Sequence, residues 1–148
     1  MNETDIDWAA IPGSEWYRPE RVIPAFAAVR NDADDSSNAM LFAVANNHGG
    51  ELYPAAFYAA PILLDIATHD TNQRARAGAL AILDDMLWFS PGLAPFDTVD
   101  VNGISTPIDV AIRNVIATAL PILQLTDAKH PVSSLIGSLS ESLTELKA

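Results

Sequence analysis

Ala59-Ala60-Pro61-Ile62-Leu63-Leu64-Asp65-Ile66-Ala67-Thr68-His69-Asp70 is the stretch that decides how this chain is read. Alanine and leucine are strong helix formers, and alanine lets neighbouring helices approach closely. The internal Pro61 removes one backbone hydrogen bond and bends the axis. A polar pair, His69-Asp70, ends the run. The same arrangement occurs twice more: Pro24-Ala25-Phe26 leads through Val29 to Asn31-Asp32, and Pro121-Ile122-Leu123 leads through Leu125 to Asp127. Each proline is followed by a polar turn and a second apolar segment. The repeated unit is therefore a helix hairpin whose first helix is bent by proline. Three such units are about the minimum for stacked hairpins to bury a continuous core.

Working outward, the remaining segments fill in around these three. The first 18 residues mix Trp8, Trp16 and Tyr17 with Pro12 and Gly13, which reads as an ordered segment held by aromatic anchors. Pro19 suits a first helical position, and a helix is expected to Arg30. Asp35 or Ser36 is expected to cap a second helix with Met40, Leu41, Val44 and Ala45 on its apolar face. Asn46-Asn47-His48-Gly49-Gly50 is expected to stop it through a left-handed cap. A third helix is expected from Tyr53 to Thr68, and a fourth, capped by Asp70 or Thr71, to Phe89. Residues 90–105 form an insert in which Asn102-Gly103, flanked by Val101 and Ile104, suggests a small hairpin. Thr106-Pro107-Ile108-Asp109 reads as a capping box opening a fifth helix to Leu125. That helix is apolar almost all round and is expected to be central. Pro131 opens a last helix with Leu135, Leu139, Leu143 and Leu146 in one stripe. The fold class expected is all-α: one domain over 1–148, a short HEAT-like solenoid of about three hairpins and six helices.

Composition restricts function. Nineteen Asp and Glu against eight Lys and Arg give a net charge of −11. Such a surface repels nucleic-acid phosphates and anionic lipids and attracts cationic partners. Cysteine is absent, which excludes disulfides and thiolate metal sites. The acidic start, Met1-Asn2-Glu3-Thr4-Asp5, is unlike a secretory signal, and the apolar runs are interrupted by Pro, Asp or Arg. A cytoplasmic location, with no membrane partner and no nucleic-acid partner, is expected.

Asn47-His48-Gly49-Gly50-Glu51-Leu52-Tyr53-Pro54-Ala55-Ala56, followed by Ala59 to Leu64, resembles a bacterial family of HEAT-repeat-like proteins. These carry a His-x-Gly-x-x-Tyr turn and then an alanine-rich helix with proline before a hydrophobic pair. Trp8, followed by a helix start at Pro19-Glu20, is similar to the opening of that family. The resemblance spans residues 8 to 89. It implies a small acidic helical protein of the immunity type, which binds a toxin and blocks it, and it carries over no catalytic residues.

Candidate site residues follow from charge and aromaticity. Asp84, Asp85 and Trp88 fall on one polar side of the fourth helix, where an exposed indole among carboxylates suits an interface anchor. Asp97 and Asp100 in the insert, and Asp32, Asp34 and Asp35 in the first turn, complete the acidic set expected to meet a cationic protein. Asp32 to Asn38 begins like a calcium loop but lacks its glycine and closing glutamate, so no metal is expected. His48, Gly49, Gly50 and Tyr53 are read as a structural turn. No phosphate loop, nucleophile elbow or zinc motif occurs, so no catalytic residue and no cofactor is assigned. The serines from Ser133 to Ser142 have no partner base in the sequence. Two other readings compete with the immunity protein. One is a general HEAT-type adaptor. The other is a small-molecule binder or enzyme built on His48, Tyr53 and nearby acids, which predicts a deep pocket at that turn.

Overall fold

The structure is a computed structural model and describes residues 1–126 and 133–147. The described residues form six α-helices: α1 (Val22–Arg30), α2 (Ser36–Val44), α3 (Ala55–His69), α4 (Gln73–Leu87), α5 (Ile108–Thr126) and α6 (Ser133–Lys147). They also form two small sheets, so the expectation of a purely helical chain is corrected. Strands β1 (Ala45–Asn46), β2 (Glu51–Leu52) and β3 (Ser90–Pro91) make the first sheet, with β1 antiparallel and β3 parallel to β2. Strands β4 (Thr98–Val101) and β5 (Ile104–Pro107) make the second.

Consecutive helices pair, α1 on α2, α3 on α4 and α5 on α6. The second helices also follow one another, α2 against α4 and α4 against α6, while α3 packs on α5. The most fully buried helix is α3, not α5. Ala55, Ala56, Ala59, Ala60, Ala67 and the intervening Ile62, Leu63, Leu64 and Ile66 are all buried. The physical reason is the alanine content, which allows α4 and α5 to close on two sides of one helix. By contrast α5 turns Asn114, Thr118, Ile122 and Leu125 outward. Its segment Ile108–Leu125 is long and apolar enough to cross a membrane by length and composition. Here its inner residues Ile108, Ile112, Ile116 and Leu123 belong to the core.

Several element boundaries differ from expectation. Pro61 and Pro121 do lie inside helices. Pro24 sits in the first turn of α1, just after a 3₁₀ turn over Pro19–Arg21, where proline costs little. The cap of α4 is Asn72, whose side chain accepts from the Arg74 and Ala75 amides at 3.0 and 3.3 Å. Asp70, expected there, instead accepts from the Asn72 amide at 2.8 Å. Asp35 precedes α2 without a side-chain cap. Ala45 leaves α2 in extended conformation and starts β1. The polar run after it is therefore a strand-to-strand turn and not a helix cap. Gly50, at φ 66°, supplies the left-handed residue that the turn needs.

The hairpin expected at Asn102-Gly103 is present and longer than expected. Val101 pairs with Ile104, and both turn residues have positive φ, 53° and 83°, as a two-residue type I′ turn requires. Asp100 Oδ1 accepts from the Gly103 amide at 2.6 Å and fastens the turn. Thr106 and Pro107 are spent in β5, so the expected capping box does not form; the Ile108 amide donates to the Asp97 carbonyl at 3.1 Å instead. In α6, Ile136, Leu139 and Leu143 are buried while Leu135 and Leu146 are half-buried. Asp127, His130 and Pro131 lie outside the described residues.

The N-terminal segment is held down by side chains. The Trp8 ring meets Phe26 at 6.0 Å between centroids, and its Nε1 donates to the Glu3 carbonyl at 2.8 Å. The Tyr17 hydroxyl donates to the Trp8 carbonyl at 2.7 Å. Arg30 grips the buried Glu3 carboxylate through two bonds, Nε to Oε2 at 2.8 Å and Nη2 to Oε1 at 2.7 Å. The Arg30 hydrogen bonds hold the Glu3 carboxyl below its ordinary value of 4.5, although burial opposes them. A depressed carboxyl pKa stabilises the fold above the unfolded value and loses that contribution as pH falls through the folded one. Wild-type stability is therefore expected to drop below about pH 4.5. Glu3→Gln is expected to cost about 2 kcal/mol at pH 7 and to flatten that acid limb in urea unfolding.

Candidate functional site

Three segments distant in sequence meet at one end of α2. The first is the turn from Asn46 to Tyr53. The second is the part of the N-terminal segment that carries Ser14, Glu15 and Trp16. The third is the start of the insert, residues 90–96. Backbone bonds join the first and third: the Ser90 amide donates to the Gly50 carbonyl at 2.8 Å, and Glu51 and Leu52 lie in register with Ser90 and Pro91. The Tyr53 amide donates to the Val44 carbonyl at 3.0 Å and closes the turn onto α2. Tyr17 meets Tyr53 edge to face at 5.8 Å and brings in the second segment.

The meeting point is a groove with two chambers that share part of their lining. One chamber, of about 330 Å³, is lined by Ser14, Glu15, Glu51, Leu93 and Phe96, among others. The other, also about 330 Å³, is lined by Arg21, Phe42, Ala45 and His48. Trp16, Asn46 and Tyr53 line both. Trp16 is 65% exposed and Leu93 is 82% exposed, although both are large apolar residues. Burial lifts the Tyr53 hydroxyl pKa above the usual tyrosine value; Glu51 adds to this, while Ser14, Arg21 and Arg18 act in the opposite direction. The groove is mostly apolar in lining, with carboxylates toward the insert and Arg21 with His48 toward α2.

Gly13 packs closely against Tyr17. A methyl group on Gly13 would stand 2.7 Å from Tyr17 Cβ and Cγ, well inside contact distance. Tyr17 cannot retreat without giving up its bond to Trp8. Gly13→Ala is therefore expected to lower stability by about 1–3 kcal/mol, readable as a fall in melting temperature.

The residues singled out by charge are not brought together. His48 stands exposed with its ring edge-on to Phe42 at 5.2 Å, and the Gly49 amide donates to Asn46 Oδ1 at 3.2 Å. His48, Gly49, Gly50 and Tyr53 thus form the turn at the groove. Asp32, at φ 60°, pairs with Arg74 at 3.2 Å near the start of α4, with Asp34 and Asp35 exposed beside it. Asp84, Asp85 and Trp88 are at the other end of that helix, about 16 Å further along at 1.5 Å per residue. Asp84 is engaged by α6: Ser138 donates to Oδ2 at 2.8 Å and Ser142 to Oδ1 at 2.6 Å. The Trp88 indole donates to Ser142 at 3.3 Å, and the ring remains 52% exposed. These two serines do have a partner, contrary to the sequence reading. Burial, then the Asp84 charge, raises the Asp85 pKa. Asp100 serves the hairpin turn and Asp97 offers its carbonyl to Ile108.

The sequence alone gives no named site role to Glu15, Phe42, Glu51, Leu93 or Phe96, and marks Trp16 only as an anchor. Trp16 had a signal: an indole among Gly13, Ser14 and Glu15 has no apolar periodicity to bury it. Another cavity, of about 480 Å³, lies between α5 and the β4–β5 hairpin and includes Phe57, Val101, Ile104 and Val115. It carries no titratable side chain, so the groove is the chemically richer site. Among the described residues no cluster of three or more His, Asp or Glu is placed to hold a metal ion. No protein-family model, no curated protein and no solved structure matches this chain.

Proposed function

We propose that this chain is a protein-binding module of the immunity type, a short HEAT-like solenoid that docks a cationic toxin in the groove between α2, the N-terminal segment and the insert. One observation carries the reading: Trp16 and Leu93, large and mostly exposed, flank a preformed groove that also carries Glu15 and Glu51. Interfaces draw their energy from a few aromatic anchors seated among polar neighbours, which is the anatomy found here. The net charge of −11 adds long-range attraction for a basic partner. The serial packing of α2, α4 and α6 supports the solenoid part of the proposal. Function would then be occlusion: the bound chain covers the active site of the toxin, its carboxylates standing where a phosphate substrate would bring negative charge. A cytoplasmic site of action is part of the same proposal.

The test is co-expression with the product of the adjacent reading frame. A tight complex and relief of that product's toxicity are expected. Absence of both a complex and protection would refute the immunity reading. A second reading, a small-molecule site at the His48–Tyr53 turn, is favoured by the two chambers found there. It predicts that His48→Ala abolishes ligand uptake at an unchanged melting temperature.

A further inference from the structure

We propose that the carboxylate chamber of the groove is a receptor for one arginine side chain of the partner protein; this rests on the partner-binding reading above. Glu15 and Glu51 line the same chamber, of about 330 Å³, as the exposed ring of Trp16. Among the described residues neither carboxylate takes a hydrogen bond or an ion pair. Arg18, the nearest cation in sequence, donates to the Glu15 backbone carbonyl at 2.9 Å and leaves the carboxylate open. The Glu51 carboxylate is placed over Gly92, where an added methyl group would stand 3.9 Å from its Oε2.

The ligand class follows from these three features. An unpaired carboxylate pair selects a cation. An open indole face adds cation–π attraction, which is strongest for tryptophan. A flat guanidinium satisfies both, because it stacks on the ring while its edge meets a carboxylate, whereas a lysine ammonium is a compact and more strongly hydrated point charge. Arg21 lines the neighbouring chamber and disfavours a cation there. The chamber is also too small for a folded element of a partner, and it suits a single extended side chain.

The probe is the capped peptide acetyl-Gly-Arg-Gly-amide, titrated into the full chain and followed by NMR. Its neutral control is the same peptide with citrulline in place of arginine. The arginine peptide is expected to shift the Trp16 indole proton and the amides of residues 46–53 and 90–96. Glu51→Gln and Trp16→Ala, each at an unchanged melting temperature, are expected to weaken this binding about threefold. The citrulline peptide is expected to leave the same resonances in place. Equal shifts from both peptides would overturn the proposal. So would arginine shifts spread over Asp34 and Asp35 that persist unchanged in Glu51→Gln. If the partner still binds through Trp16 while the arginine peptide fails, the receptor chamber falls and the partner-binding reading stands.

Discussion

Trp8→Ala is expected to lower stability by about 3–4 kcal/mol, enough to bring the melting temperature down by about 10 °C in a chain of this size. Trp8 is 4% exposed and ties two parts of the N-terminal segment to α1. Its ring covers Phe26, its N–H holds the Glu3 carbonyl and its own carbonyl receives the Tyr17 hydroxyl. Truncation opens a cavity over α1 and leaves the Glu3 carbonyl without its donor. Trp8→Phe keeps most of the ring contact and loses only the N–H, so about 1 kcal/mol is expected. Differential scanning calorimetry and urea unfolding separate the two. A fall of less than about 3 °C for Trp8→Ala would mean that the segment is not fastened as described.

The second large effect is on binding. Trp16→Ala is expected to weaken the partner complex by about 2 kcal/mol or more, roughly thirtyfold in Kd, with a change in stability under about 0.5 kcal/mol. The ring is mostly exposed in the free chain, so its removal creates no cavity. Its contribution appears only when a partner covers it. Trp88→Ala is the contrasting case. That indole is bonded to Ser142, which is itself bonded to Asp84, so its loss loosens the packing of α6 on α4. It is expected to lower stability modestly and to leave affinity nearly unchanged. Isothermal titration calorimetry beside thermal unfolding reads both quantities on the same samples.

Helices were legible in the sequence where local chemistry alone determines them. The alanine-rich run around Pro61 specified α3, and Asn102-Gly103 specified a turn whose positive φ values those residues accept at low cost. What was not legible depends on contacts between distant segments. Asn46 to Gly50 offers the same residues to a helix cap and to a strand turn. The choice is made by Ser90, about forty residues on, which supplies a third strand. The deeper burial of α3 than of α5 was hidden for a related reason. Hydrophobicity counts alanine as weak and isoleucine as strong, but close packing favours the smaller side chain. The sequence does not say which acidic residues have partners within the fold. Asp84 is engaged by two serines 54 and 58 residues away, and Asp100 by its own hairpin turn. Glu15 and Glu51 were unremarkable in sequence because their neighbours in space are not their neighbours along the chain.

Amide hydrogen exchange on the chain, alone and bound to the product of the adjacent reading frame, tests the docking surface most directly. Slowed exchange is expected together at residues 14–17, 46–53 and 90–96, three stretches that only the folded groove unites. Protection confined to the α4–α6 edge around Trp88, or to the Asp32–Asp35 turn, with the groove exchanging as in the free chain, would contradict the account.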